Sequence, residues 1–99
     1  MTPLHGAVKS YQVGKQQEEI IEKLISRGAE IDSKTDEGLT ALHFCIEGDK
    51  IGFAKILLQN GASMKIKTGI GESPLEFALA FNKNDFMKLL IFSDHRINI

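Results

Sequence analysis

Thr40-Ala41-Leu42-His43-Phe44-Cys45-Ile46 reads TALHFCI, and Thr2-Pro3-Leu4-His5-Gly6-Ala7-Val8 reads TPLHGAV. A further stretch in register starts at Ser73-Pro74-Leu75-Glu76. Thr2 and Thr40 are 38 residues apart and Thr40 and Ser73 are 33 apart, so one unit recurs through the chain. Working outward, each unit opens with a short helical stretch: Thr2 to Lys9, Thr40 to Glu47, Ser73 to Ala80. A longer one follows, with apolar residues at helical spacing: Ile20, Ile21, Leu24 and Ile25, then Phe53, Ile56 and Leu57, then Phe86, Leu89 and Leu90. Thr and Ser are favourable N-caps, and Pro3 and Pro74 occupy the first helical position, where a missing N–H costs nothing. Gly28 and Gly61 suit the left-handed residue at a helix C-terminus. Extended segments, Ala29 to Ile31 and Ala62 to Ile66, then lead to tight turns at Gly38 and Gly71.

On these residues the chain resembles the ankyrin repeats. The resemblance rests on Thr2-Pro3-Leu4-His5-Gly6-Ala7, Gly28-Ala29-Glu30-Ile31-Asp32, Gly38-Leu39-Thr40-Ala41-Leu42-His43, Leu57-Leu58-Gln59-Asn60-Gly61-Ala62 and Ser73-Pro74-Leu75-Glu76-Phe77-Ala78. A period of about 33 residues carrying T-P-L-H-x-A is that family's signature. The resemblance implies an all-α solenoid of antiparallel helix pairs joined by β-hairpin loops. It would form one domain, 1–99, with repeats at 1–32, 33–65 and 66–99. Elementary energetics agrees, because one helix pair cannot bury its apolar face alone and must lean on its neighbours.

Three departures stand out. Five extra residues lie within 10–17 of the first repeat, where loop lengthening is cheap; they are surface variation or a partner contact led by Tyr11 and Val13. In the third repeat Glu76 replaces the histidine, which in the family ties neighbouring loops, so the last hairpin is expected to be less well fixed. Asp94-His95 replaces the Gly-Ala that ends the other second helices. The last helix, with Phe86, Met87, Leu89, Leu90, Ile91 and Phe92, is as apolar as an internal one. It is therefore expected to be covered by another repeat, a second chain or a partner. Only Met1 precedes Thr2, so the first pair lacks its preceding finger, as in a piece of a longer array or a small protein opening on a half-repeat.

Composition removes other classes of function. There are 12 Lys+Arg against 13 Asp+Glu, which gives no electrostatic reason to expect nucleic acid or an anionic membrane. No apolar run approaches the roughly 18 residues of a membrane span. The single Cys45 excludes an intramolecular disulfide. It fits a reducing compartment, cytoplasm or nucleus, or the host cytoplasm for a viral or pathogen protein. His43 and Cys45 point roughly 200° apart around a helix and cannot pair as base and nucleophile. His5 and His43 lack the further ligands a zinc site needs. Gly69-Ile70-Gly71 opens no βαβ unit, so it reads as a turn rather than a phosphate loop. Glu18 and Glu19 open a helix, where they favour the positive end of its dipole. The expectation is a non-enzyme, with no cofactor, no metal and no small-molecule substrate.

The resemblance implies a protein partner bound on the concave face, by finger tips and first helices. Carried over by position, the candidates are Lys34, Asp36, Glu37 and Leu39 in one finger and Lys67, Gly69, Ile70 and Glu72 in the next. On the first helices they are Lys9, Glu47, Ala80 and Phe81. The charged ones double as ordinary solvated surface. Leu39, Ile70 and Phe81 are the natural anchors, unless Leu39 packs on the next helix and Phe81 folds under Phe86. The expected function is thus a protein–protein interaction module, with self-association through the apolar last helix in view. The alternatives are a structural or spacer segment of a larger ankyrin protein, or a small viral or pathogen protein mimicking an inhibitor of a host transcription factor.

Overall fold

The computed structural model describes residues 1–10 and 12–95, the last two by backbone alone. Six helices run in order: α1 (Pro3–Lys9), α2 (Lys15–Ser26), α3 (Ala41–Glu47), α4 (Ile51–Gln59), α5 (Pro74–Ala80) and α6 (Asn84–His95). Each odd helix pairs with the even one after it. The odd helices pack in sequence, α1 on α3 and α3 on α5, and the even ones likewise, giving a two-layered solenoid.

The helix starts follow directly from the repeated motif. Thr2, Thr40 and Ser73 are extended N-caps whose hydroxyls accept the N–H of the residue three on. That residue reciprocates on the cap's own N–H, with His5 and His43 acting as glutamate does in the usual capping box. Removing one such cap costs about 1 kcal/mol. Gly28 and Gly61 end α2 and α4 with φ of 96° and 92°, and the N–H of the following alanine reaches back to Leu24 and Leu57. α2 begins at Lys15, three residues before Glu18, so the two glutamates lie inside its first turns. α6 runs on to His95 where Gly-Ala would have stopped it.

The core is continuous through all three pairs. Leu4, Val8 and Ile21 join Leu42, Cys45, Ile46, Phe53, Leu57, Phe77, Phe86 and Leu90, all buried. Two polar straps complement it. Gln17 is buried and donates to the Ala7 carbonyl at 2.7 Å, locking α2 onto α1. Lys50 of the second pair reaches back to the carbonyls of Val8 and Ser10, which close α1. A cation there satisfies carbonyls that a helix end leaves open. The segment between α1 and α2 is held by Lys50 at Ser10 and exposes Val13; Tyr11 lies outside the described residues.

The expected β-hairpins are tight turns, and among the described residues there is no strand. In the first, Thr35 N–H donates to the Leu39 carbonyl at 2.9 Å, but Leu39 N–H donates to the Thr35 hydroxyl at 3.2 Å. Thr68 and Glu72 repeat both bonds at 2.9 and 3.2 Å. A side chain takes the second rung, so no backbone ladder develops.

Candidate protein-binding face

The two fingers are built by the same atoms. In each, the N–H of the glycine donates to the threonine carbonyl three back, Gly38 to Thr35 and Gly71 to Thr68, at 2.8 and 2.9 Å. Both glycines have positive φ, 84° and 87°. Thr35 and Thr68 are buried beneath the turns. The helix-cap pattern does not mark these threonines, but their 33-residue spacing and shared T-x-x-G are visible in the sequence.

The tips also lie against one another. A Cβ on Gly38 would fall 2.4 Å from the Gly69 nitrogen, closer than atoms can approach, so the backbones meet directly. Each finger is further tied to the preceding pair by histidine. His43 accepts the Thr40 N–H on Nδ1 at 3.2 Å, which leaves the proton on Nε2 to donate to the Glu72 carbonyl, also at 3.2 Å. His5 does the same between Thr2 and the Ser33 carbonyl, at 3.0 and 2.8 Å. Burial, and less strongly the Lys34 charge, hold the His43 imidazole below its ordinary value of 6.5, against the opposing pull of the Glu72 carbonyl.

This corrects the expectation for the last hairpin. The Thr68–Glu72 finger is held by His43 and by its own threonine. Glu76 closes its own capping box, accepting the Ser73 N–H at 2.9 Å, and that bond draws its carboxyl below the usual range. What Glu76 gives up is only the second nitrogen, the one that reaches the next finger.

Under the fingers runs an aromatic floor on the odd helices. His5 meets Phe44 edge-on at 5.6 Å, His43 meets Phe77 at 5.1 Å, and Phe77 leans on Phe81 at 4.8 Å. Phe44 and Phe77 occupy the same repeat position, where the first unit has Gly6. Lys9 lies over the Phe44 ring, 4.8 Å from its centroid.

The anticipated contact residues divide on this frame. Lys34, Asp36, Glu37, Lys67, Gly69 and Ile70 are exposed on the fingers, Ile70 to 83%. Leu39 and Glu72 are half-buried, and Leu39 packs against the core. Lys9, Glu47, Ala80 and Phe81 are exposed at the far ends of the odd helices, each about 10 Å long by the rise of seven residues. Phe81 stacks on Phe77 rather than under Phe86 and stays 45% exposed. The exposed members of the set thus form two rims, one on the fingers and one at the C-terminal ends of the odd helices.

Cys45 is fully buried, and burial pushes its thiol up to about 12. Among the described residues no group of three or more His, Cys, Asp or Glu could hold a metal ion, and no helix is long and apolar enough to cross a membrane.

The family model for ankyrin repeats, in three copies, matches residues 4–99. The chain belongs to the ankyrin-repeat family. Ankyrin repeats are generally protein–protein interaction modules and generally non-enzymatic. A search of curated proteins finds no match to this ankyrin chain.

Proposed function

We propose that this ankyrin domain binds a protein partner across its two rims, with Ile70 as the principal apolar anchor. The observation that carries the reading is the 83% exposure of Ile70 on a turn whose backbone is fixed by Thr68, Gly71 and His43. A large apolar side chain on a preorganised tip loses little entropy on docking. Phe81 supplies a second apolar contact on the opposite rim. Lys9, Lys34 and Lys67 alternate with Asp36, Glu37, Glu47 and Glu72, so charge complementarity would set orientation more than affinity.

Affinity capture from the native source, with the wild type and Ile70→Ser side by side, tests this. Ile70→Ser should lose the retained protein and keep its melting temperature. Leu39→Ser serves as the contrast, since it should lower the melting temperature by removing core contact. Identical captured sets from the wild type and Ile70→Ser would sink the proposal.

A second reading, self-association through the last helix, is favoured by the 56% exposure of Ile91, whose counterpart one unit earlier, Leu58, is 4% exposed.

A further inference from the structure

The end of α4 reads Leu57-Leu58-Gln59-Asn60-Gly61-Ala62. Asn60 is exposed and is followed by glycine, whereas Asn82, Asn84 and Asn98 precede Lys83, Asp85 and Ile99. An asparagine carries its amide carbon within reach of the next residue's nitrogen, and glycine, having no side chain, leaves that nitrogen unshielded. The pair can therefore react with itself. The Gly61 nitrogen, its proton lost to solvent base, bonds to Asn60 Cγ; the Cγ–Nδ2 bond breaks, and Nδ2 takes up a proton and leaves as ammonia. Water then opens the cyclic imide at either carbonyl, giving aspartate on an ordinary backbone or an isoaspartyl link whose chain runs through Cγ. The net change is OH for NH2.

The folded chain holds this reaction off. Asn60 has φ −100° and ψ 16°. At that ψ the Gly61 nitrogen nearly eclipses the Asn60 nitrogen, so tetrahedral geometry leaves it about a third of a turn from the side-chain bond it must eclipse to close the ring. Turning ψ that far breaks two bonds that finish the helix. These are Gly61 N–H to the Leu58 carbonyl at 3.1 Å and Ala62 N–H to the Leu57 carbonyl at 3.0 Å. Both acceptors belong to buried residues, 4% and 0% exposed, which are anchored in the core and do not follow the rotation. The amide itself is engaged, with Nδ2 donating to the Ile56 carbonyl at 2.8 Å. Ring closure thus waits for the last turn of α4 to open, a local event that costs less than global unfolding.

The helix end does not need asparagine. Arg27 stands at the same position one unit earlier with φ −92° and ψ 11°, followed by Gly28 at φ 96°. Gly28 and Ala29 make the same pair of bonds, to Ile25 and Leu24, both at 3.0 Å. What Asn60 adds is the reactive amide. After reaction the helix end does not re-form as before. Aspartate at this position has no N–H to offer the Ile56 carbonyl and sets a negative charge at the negative end of α4. An isoaspartyl link inserts a backbone carbon between helix and turn, so the bonds to Leu57 and Leu58 no longer both fit.

From this we infer that Asn60–Gly61 is a self-modification site, latched by the folded end of α4 and irreversible once that end has opened and reacted. The only co-reactant is water. The full chain, native and in guanidinium chloride, is incubated at neutral pH and followed by peptide mass mapping, with isoaspartyl methyltransferase labelling of the rearranged product. In denaturant the peptide holding Asn60 should gain the mass of OH over NH2 and accept methyl groups. The native chain should do so about tenfold or more slowly, because two backbone hydrogen bonds must first open. Asn60→Arg, the residue already used at the end of α2, should show neither change at this position in either condition. The modified chain, returned to buffer, should have a lower denaturation midpoint than the unmodified one. Equal rates in the two conditions overturn the latch. Absence of reaction at Asn60 in denaturant, or reaction at Asn82, Asn84 or Asn98 in its place, overturns the site. An unchanged midpoint after modification overturns the lasting damage to the helix end.

Discussion

At the scale of single residues, His43 does two jobs with its two nitrogens. Nδ1 accepts from its own N-cap, and Nε2 donates to the next finger. A second proton would turn Nδ1 into a donor facing the Thr40 N–H, so the neutral ring is the one the fold needs. Its pKa lies below 6.5 in the folded protein, and the unfolded chain takes up the proton first as pH falls. The stabilisation is therefore present above pH 6.5 and is lost as pH drops below it toward the folded value. Urea midpoints taken between about pH 7.5 and pH 5 should fall for the wild type. His43→Gln, less stable throughout, should lose that part of the slope. An unchanged slope would remove His43 as its source. Glu76 titrates in a separate window. Its lowered pKa means its contribution is held above the carboxyl's ordinary 4.5 and lost on acidification below it.

At the scale of the element, the finger is a turn stabilised from beneath by a threonine and from beside by its neighbour. Gly38 bears both constraints, a φ of 84° and a backbone neighbour where a Cβ would go. Gly38→Ala should cost about 1–3 kcal/mol of unfolding free energy, measured by chemical denaturation. Gly28→Ala is the matched control: φ is also positive, but nothing lies within 4 Å of the added carbon, so its cost should be smaller. Equal losses would mean that φ alone matters and the tips do not bear on each other. Helices were the most legible elements. Their starts are written in Thr2, Thr40 and Ser73, and their ends in Gly28 and Gly61, because caps are local chemistry. The substitution of Glu76 for histidine was harder to read, since it keeps the local bond and removes the distant one. The threonine rung was harder still. A hydroxyl replacing a backbone acceptor leaves the turn signal intact while erasing the strand it implies.

At the scale of the whole molecule, contacts join each pair to the next, and α1 packs on α2 and α3 without a comparable interface to α5 or α6. Topologies of such local contacts fold quickly, so refolding by stopped flow should finish within about milliseconds. A phase of seconds would point to a step that helix stacking does not explain. The architecture was legible because periodicity repeats the evidence: three N-caps and two helix-ending glycines say the same thing. The candidate face was legible only in outline. Apolar character on a finger made Leu39 and Ile70 equals, while packing set one against the core and left the other 83% exposed. The straps from Gln17 and Lys50 carry no motif, since what they satisfy are carbonyls of Ala7, Val8 and Ser10 that come near only after folding.

Gly6 and Lys23 give the solenoid a direction of growth. A designer lengthening this array could graft a further unit after α6 onto Leu75, Leu79 and Ile91 as they stand, because those side chains already match an internal seam. Elongation ahead of α1 would first require exchanging Gly6 for an aromatic residue and Lys23 for an aliphatic one. Extension after α6 is thus the simpler edit, since at these two positions the first unit departs from the register of the later ones.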